Sequence, residues 1–101
     1  MLCFLTARRM KPGTFDDFRK AWEPDEWPPQ FVRAYHVRDL TDENMVVSFG
    51  LFDGTAEDYR RLRTDERAGE VEDLRQRKMS EFVDQTVLDG VFEVIEEVTP
   101  G

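Results

Sequence analysis

One cysteine and one histidine in 101 residues exclude a good deal of chemistry at once. Cys3 alone rules out an intrachain disulfide and a cysteine-rich metal centre. It stands inside an apolar run, the setting of a buried thiol rather than a nucleophile. With His36 the single imidazole, no histidine pair sets a metal-ligand spacing, and no metal site is expected. Positive charge is also short: 14 Lys and Arg face 22 Asp and Glu, for a formal charge of −8. Such a surface repels phosphate backbones and anionic lipid, so no nucleic acid and no membrane is expected as a partner. Long apolar runs are missing too. The N-terminal one ends at Thr6 and Arg8, too short for a signal-peptide core and without a basic lead. Nothing approaches the ~20 residues that cross a bilayer. A cytoplasmic protein is the expectation. Glycine-rich phosphate loops, a nucleophile elbow, a Cys–His pair, a dinucleotide fingerprint, repeats and low-complexity tracts are all absent.

What is present is 40% apolar and 36% charged, the balance of one soluble globular domain over residues 1–101. A strand is predicted from Leu2 to Arg9, closed by Lys11-Pro12-Gly13. Thr14 then offers an N-cap with Asp16 and Asp17 behind it. Phe15, Phe18 and Trp22 recur at helical spacing, and the helix stops near Glu23 because Pro24 follows. A proline-rich connector runs to Gln30. Two strands, Phe31 to Asp39 and Met45 to Phe52, flank a short turn and form an antiparallel hairpin. Thr55 and Asp58 open a short helix that breaks near Asp65. A second helical segment, to about Val83, carries Ala68, Val71, Met79 and Phe82 on one face. A last strand is expected over Val87 to Val98, with Asp89-Gly90 marking a bulge or kink near its start.

This order, βαββαβ, is the ferredoxin-like split motif, an α+β fold with an antiparallel sheet and its helices on one face. The third strand divides into Met45, Val47, Phe49 and Leu51 on one side and Val46, Ser48, Gly50 and Phe52 on the other. The first set is wholly apolar and the second half apolar, whereas a solvated face should alternate cleanly with polar residues. Covering several hundred square ångströms more of sheet, at ~25 cal/mol per Å², contributes on the order of 10 kcal/mol before entropy costs. A symmetric homodimer is the expected solution.

Lys11-Pro12-Gly13 with Phe15, Phe18 and Trp22, the hairpin ending Val46-Val47-Ser48-Phe49, the Thr55 to Leu62 helix and the closing Phe92-Glu93-Val94 together resemble the dimeric α+β barrel superfamily. Within it they resemble the antibiotic-biosynthesis-monooxygenase-like domains. The resemblance implies two sheets facing each other and a small-molecule cavity between sheet and helices in each subunit. Its members include cofactor-free oxygenases of aromatic polyketides, lactone isomerases and haem-degrading enzymes. The haem-degrading pattern of a first-strand asparagine, a middle-helix tryptophan and a later histidine is not matched. The one asparagine is Asn44, in the hairpin turn, and the middle helix carries Tyr59. No cofactor is expected.

His36 lies mid-strand and titrates near neutrality, so it is the candidate general base on an acidic C–H or a phenol. The plainer account is a satisfied sheet histidine. Arg75 falls in the middle of the apolar stripe of its helix, where a guanidinium would hold a carboxylate or enolate oxygen. Its plainer role is to lay its stem on the core and pair at the surface. Arg33 and Tyr35 share one strand face, and Arg38 shares the other with His36. Trp22 and Trp27 flank the proline-rich connector, which would serve as a lid. With Tyr59, residues Arg33, Tyr35, Trp22 and Trp27 form the candidate substrate-binding set. The functional expectation is a small-molecule-binding barrel, a cofactor-independent monooxygenase or isomerase of a hydrophobic aromatic substrate. The alternative is a non-catalytic ligand-binding or assembly module.

Overall fold

In the computed structural model, which describes residues 1–101, the predicted order of elements is present. It runs β1 (Leu2–Met10), α1 (Phe15–Trp22), β2 (Phe31–Arg38), β3 (Met45–Phe52), α2 (Ala56–Thr64), α3 (Glu66–Ser80) and β4 (Val83–Glu93). The strands form one antiparallel sheet in the order β2-β3-β1-β4.

Local chemistry sets most of the boundaries. Gly13, at φ 72°, turns the chain after β1 in a conformation that a side chain would strain. Glu23 is extended, as the residue before Pro24 must be, and α1 stops there. The expected side-chain cap at Thr14 does not form. Its hydroxyl donates instead to the carbonyls of Lys11 (2.6 Å) and Phe82 (3.3 Å), fastening the start of α1 to the α3–β4 turn. In α2 the capping box is complete. The Thr55 hydroxyl accepts from the Asp58 amide (3.1 Å) and the Asp58 carboxylate from the Thr55 amide (2.8 Å), which holds the Asp58 carboxyl below its ordinary range. Asp65 restarts the helix by accepting from the Ala68 amide at 2.9 Å.

The last strand lies about four residues earlier than the sequence suggests. Its pairing to β1 decides this, with Val83 opposite Met10 and Glu93 opposite Leu2. Beyond Glu93 only the Val94 amide still bonds, to the Met1 carbonyl at 3.0 Å, and the apolar Val94, Ile95 and Val98 fall in an exposed tail. The bulges lie between the partners of Ala7 and Arg8 and of Arg9 and Met10, not at Asp89-Gly90.

Helices cover one face of the sheet only. Met10, Phe18, Val46 and Met79 form the centre of the core, with Phe15, Trp22, Phe82 and Val83 packed around it. Cross-strand partners share a face, so the register also defines what is uncovered. Tyr35 and Val37, then Val47, Phe49 and Leu51, then Cys3, Leu5 and Ala7, then Leu88 and Phe92 line the opposite side. Tyr35, Val37, Leu88 and Phe92 are exposed there, and the Tyr35 ring stacks on Phe49 at 5.2 Å. The wholly apolar half of β3 is the half without a helix.

Phe18 is fully buried at the centre of this core. Phe18→Ala is expected to lower unfolding stability by about 3–5 kcal/mol, against about 1 kcal/mol for Thr55→Ala. Urea unfolding of the two variants checks the ranking, and equal losses would contradict it.

Candidate functional site

On the helix-covered face, four rows of side chains cross the sheet. Phe31–Phe52–Leu2–Glu93 and Ala34–Gly50–Phe4–Val91 are mostly apolar. The next row, His36–Ser48–Thr6–Asp89, is polar from edge to edge. Beside it lies Arg38–Val46–Arg8–Thr86. A band of hydrogen-bonding groups in the covered middle of a sheet is not a packing device, because each buried polar group costs free energy unless it is paired.

His36, partly buried, sits at the β2 end of the row, next to the buried Ser48. Its Nδ1 lies 2.7 Å from the Ser48 hydroxyl oxygen. Three rings of α1 enclose the imidazole edge-on: Trp22 at 4.4 Å, Phe15 at 5.8 Å and Phe18 at 5.9 Å between centroids. Nε2 is sealed from solvent and has no hydrogen-bond partner. Burial, and then the charges of Arg19 and Arg8, push the imidazole down to about 4. His36 is therefore neutral at neutral pH, with one ring nitrogen uncommitted.

Arg8 is the second unusual group. It is 6% exposed, and its Nη1 donates to the Thr6 hydroxyl at 2.7 Å. Its guanidinium lies 5.3 Å from the Phe18 ring centroid. None of the chain's five ion pairs includes it. Burial lowers its proton affinity, Asp89 opposes that, and Arg75 adds to it. Thr6, Arg8 and Ser48 are site residues that sequence reasoning missed. The pointer was in the alternation Leu2, Phe4, Thr6, Arg8, Met10, where two polar residues interrupt an otherwise apolar strand face.

The candidates named from sequence divide between the two faces. His36, Trp22 and Arg75 come together, since Trp22 touches both others. Arg75 Nε donates to the Trp22 carbonyl (2.6 Å) and Nη1 to the Glu72 carboxylate (2.5 Å), with its guanidinium 5.6 Å from the Trp22 ring. It ties the end of α1 to α3. Trp27 stacks on Phe31 at 4.3 Å and lies 5.4 Å from Trp22, closing that end of the covered face. Tyr59 packs on Phe4 at 5.4 Å, beside the polar row. Arg33 and Tyr35 lie on the opposite face, with Leu51 and Phe49 as cross-strand partners, and do not meet His36. Arg38 covers the Phe15 ring at 5.4 Å and lines a cleft of about 430 Å³ with Asn44. A smaller cleft, about 220 Å³, opens where Arg8 meets α3 and β4. No group of three or more His, Cys, Asp or Glu side chains converges as a metal-binding set. No helix is long and apolar enough to cross a membrane.

Between its ordinary value of 6.5 and its folded value of about 4, His36 is more protonated in the unfolded chain than in the folded one. Its contribution to stability is thus complete above about pH 6.5 and is lost as the pH falls toward 4. The depressed carboxyls of Asp39, Asp42 and Asp58 lose theirs at lower pH still. Thermal melts from pH 7 to pH 4 are expected to fall for the wild type and to stay nearly level for His36→Gln. Parallel curves would contradict the burial of a neutral imidazole.

Neither a protein-family model nor a curated protein matches the chain. Solved structures do. A protein of Chloroflexus aurantiacus, provisionally named an antibiotic biosynthesis monooxygenase, superposes with a TM-score of 0.67 at 13% identity, covering 99% of this chain and 98% of that one. SnoaB, a cofactor-independent oxygenase from Streptomyces nogalater, gives 0.66 at 13% identity over 98% and 97% of the two chains. An uncharacterized NIPSNAP domain protein from Burkholderia xenovorans gives 0.60 at 18% identity over the whole of both. Identities this low speak to architecture, and at that level the agreement is full-length: the chain has the ferredoxin-like α+β fold of the antibiotic-biosynthesis-monooxygenase-like domains.

Proposed function

We propose that this chain is a small-molecule-binding protein, working as a homodimeric α+β barrel, whose substrate sits against the polar row on the covered sheet face. The observation that carries the reading is the unpartnered His36 Nε2 on that face, enclosed by aromatic rings, with the Arg8 guanidinium on the same face outside any ion pair. An aromatic, weakly acidic molecule suits both. Its ring would take the place of Trp22 against the imidazole, and its oxygen would face the arginine.

The chemistry would be that of a cofactor-independent oxygenase or isomerase. A neutral His36 takes a proton from an acidic C–H or phenol, and the resulting anion is held by positive charge. Burial is the main cause of the depressed His36, and the arginines that add to it are charges that would also stabilise the anion, easing the transfer on the substrate side. In an isomerisation the proton returns to another atom of the substrate. In an oxygenation the carbanion reduces dioxygen, and a CH₂ group plus O₂ become a carbonyl and water. Arg75, committed to the Trp22 carbonyl and to Glu72, would position the α1 rings rather than touch substrate. Because α1 seals Nε2, the reading requires Trp22 and the connector carrying Trp27 to move aside on binding.

The second reading, a non-catalytic ligand-binding or assembly module, draws on that same seal and on the breadth of the uncovered apolar face. In it, His36 and Ser48 form a closed structural pair and dimerisation is the main outcome of the fold. The proposed dimer is common to both readings. A second copy is the natural cover for Tyr35, Val37, Phe49, Leu88 and Phe92, since a self-complementary face closes with two-fold symmetry.

Native mass spectrometry of freshly purified protein is expected to show twice the 11.9 kDa chain mass, and a monomer at micromolar concentration would remove the barrel. Oxygen uptake and substrate isomerisation are then followed over a panel of polycyclic phenols and carbon acids. A general base contributes roughly 10²–10⁴-fold, so His36→Gln is expected to lose turnover by that order with the fold intact. Unchanged turnover in His36→Gln would end the base assignment, and a dimer inert across the panel would favour the module.

A further inference from the structure

We infer that the cleft between β1, β4 and the end of α3 is a binding site for a small carboxylate, with Arg8 as its floor. The inference deepens the reading above by naming the charge of the molecule bound on this face, and it rests on that reading only for the location.

A guanidinium carries five N–H donors. Arg8 uses one, on Thr6, and no carboxylate lies within ion-pair distance. The nearby carboxylate of Glu72 is already taken by Arg75 and by the Gln76 amide, which donates at 2.7 Å. Arg8 is 6% exposed, and its remaining donors have no protein partner and still reach solvent, so they are available to an anion entering beside them. The cleft of about 220 Å³ into which Arg8 opens supplies the room, lined also by Gln76, Ser80, Asp84, Gln85 and Thr86. Ser80 donates to the Arg77 carbonyl, which leaves the hydroxyl of Thr86, the cross-strand partner of Arg8, as the uncommitted side-chain donor on the wall.

Size and charge narrow the ligand. Drug-sized pockets span roughly 300–1,000 Å³, so this cleft takes a small acid or the acidic end of a longer one. A planar carboxylate matches the guanidinium fork in two parallel hydrogen bonds. Asp84 at the cleft and Asp89 beside Thr6 set a negative field around the mouth, on a chain of net charge −8. One negative charge is compensated by Arg8; a second meets repulsion. A monoanionic carboxylate is favoured over a phosphate dianion.

Thermal melts at pH 7.5 and fixed ionic strength test this with benzoate, phosphate and chloride. The wild-type melting temperature is expected to climb in even steps with each tenfold rise in benzoate past half-saturation, to respond weakly to phosphate and not to chloride. Arg8→Met is expected to fold, to melt no lower than the wild type without ligand, and to lose the benzoate response. Thr86→Val, on the wall, is expected to weaken benzoate several-fold and serves if Arg8→Met fails to fold. Amide shifts in the wild type on benzoate addition are expected at Arg8, Ser80, Gln85 and Thr86. An equal response in Arg8→Met, or no wild-type response, overturns the site. A phosphate response exceeding that of benzoate overturns the charge selection. None of these readouts needs turnover or a second copy, so this site and the His36 assignment stand or fall separately.

Discussion

A four-stranded sheet has two broad faces, and this chain has helices for one. Every other feature of the molecule follows from that shortage. The helices α1 and α3 meet over Met10 and Val46, where Phe18 and Met79 reach full burial. The rest of the covered face is thinly roofed: Asp89 and Val91, at the β4 end, remain exposed. The face without helices is the more apolar of the two, a reversal of the usual arrangement in which the solvated side of an antiparallel sheet is polar. A chain whose hydrophobic set points away from its own helices leaves an apolar face that the proposed second copy would cover.

The polar row gains its character from the same geometry. Ser48 and Thr6 lie between His36 and Asp89 across adjacent strands, so the row passes from a partly buried imidazole at β2, through buried Ser48, to open solvent at β4. Exclusion of water disfavours the charged imidazole, so His36, under three aromatic rings, is held neutral first by burial and then by the charges of Arg19 and Arg8. Arg8 stays charged, because a guanidinium does not give up its proton in any accessible range. In the proposed function, a neutral, weakly basic imidazole and a cation outside any ion pair on one face would suit an acid: the first would accept its proton and the second would hold the anion left behind.

The fold was legible in the sequence to the extent that local chemistry set it. Gly13, the Glu23–Pro24 boundary, the Thr55–Asp58 box and the break at Asp65 each carry their own short-range cause. The division of β3 into two faces was legible as well, because strict alternation from Met45 to Phe52 leaves no ambiguity of register. What was not legible came from pairing at a distance. The segment Val94 to Val98 is more apolar than Val83-Asp84-Gln85-Thr86, yet β1 pairs from Val83 to Glu93 and leaves Ile95 90% exposed. The site followed the same pattern. His36 and Trp22 stand out as residue types, and the structure brings them together. Arg8 does not, since an Arg-Arg pair at the end of a strand resembles a solvated terminus until Thr86 and the end of α3 close around one of the two.

That pair also shows why residue type alone cannot assign a role here. Arg8 and Arg9 are neighbours in sequence and opposite in environment, because successive residues of a strand point to opposite faces. Arg9, on the face without helices, makes an ion pair with Asp42 that helps hold the hairpin turn, and its charge is fully compensated. Arg8, on the covered face, has a hydroxyl and an aromatic ring for company. A one-residue slip would carry Arg9 away from Asp42 and would turn Leu2 and Met10, both 4% exposed, out of the core. The register that buries the apolar residues of β1 therefore also places Arg8 on the covered face. Its charge there is only partly offset, by Asp89 and Glu72 at a distance, which is the opening that the proposed anion would fill.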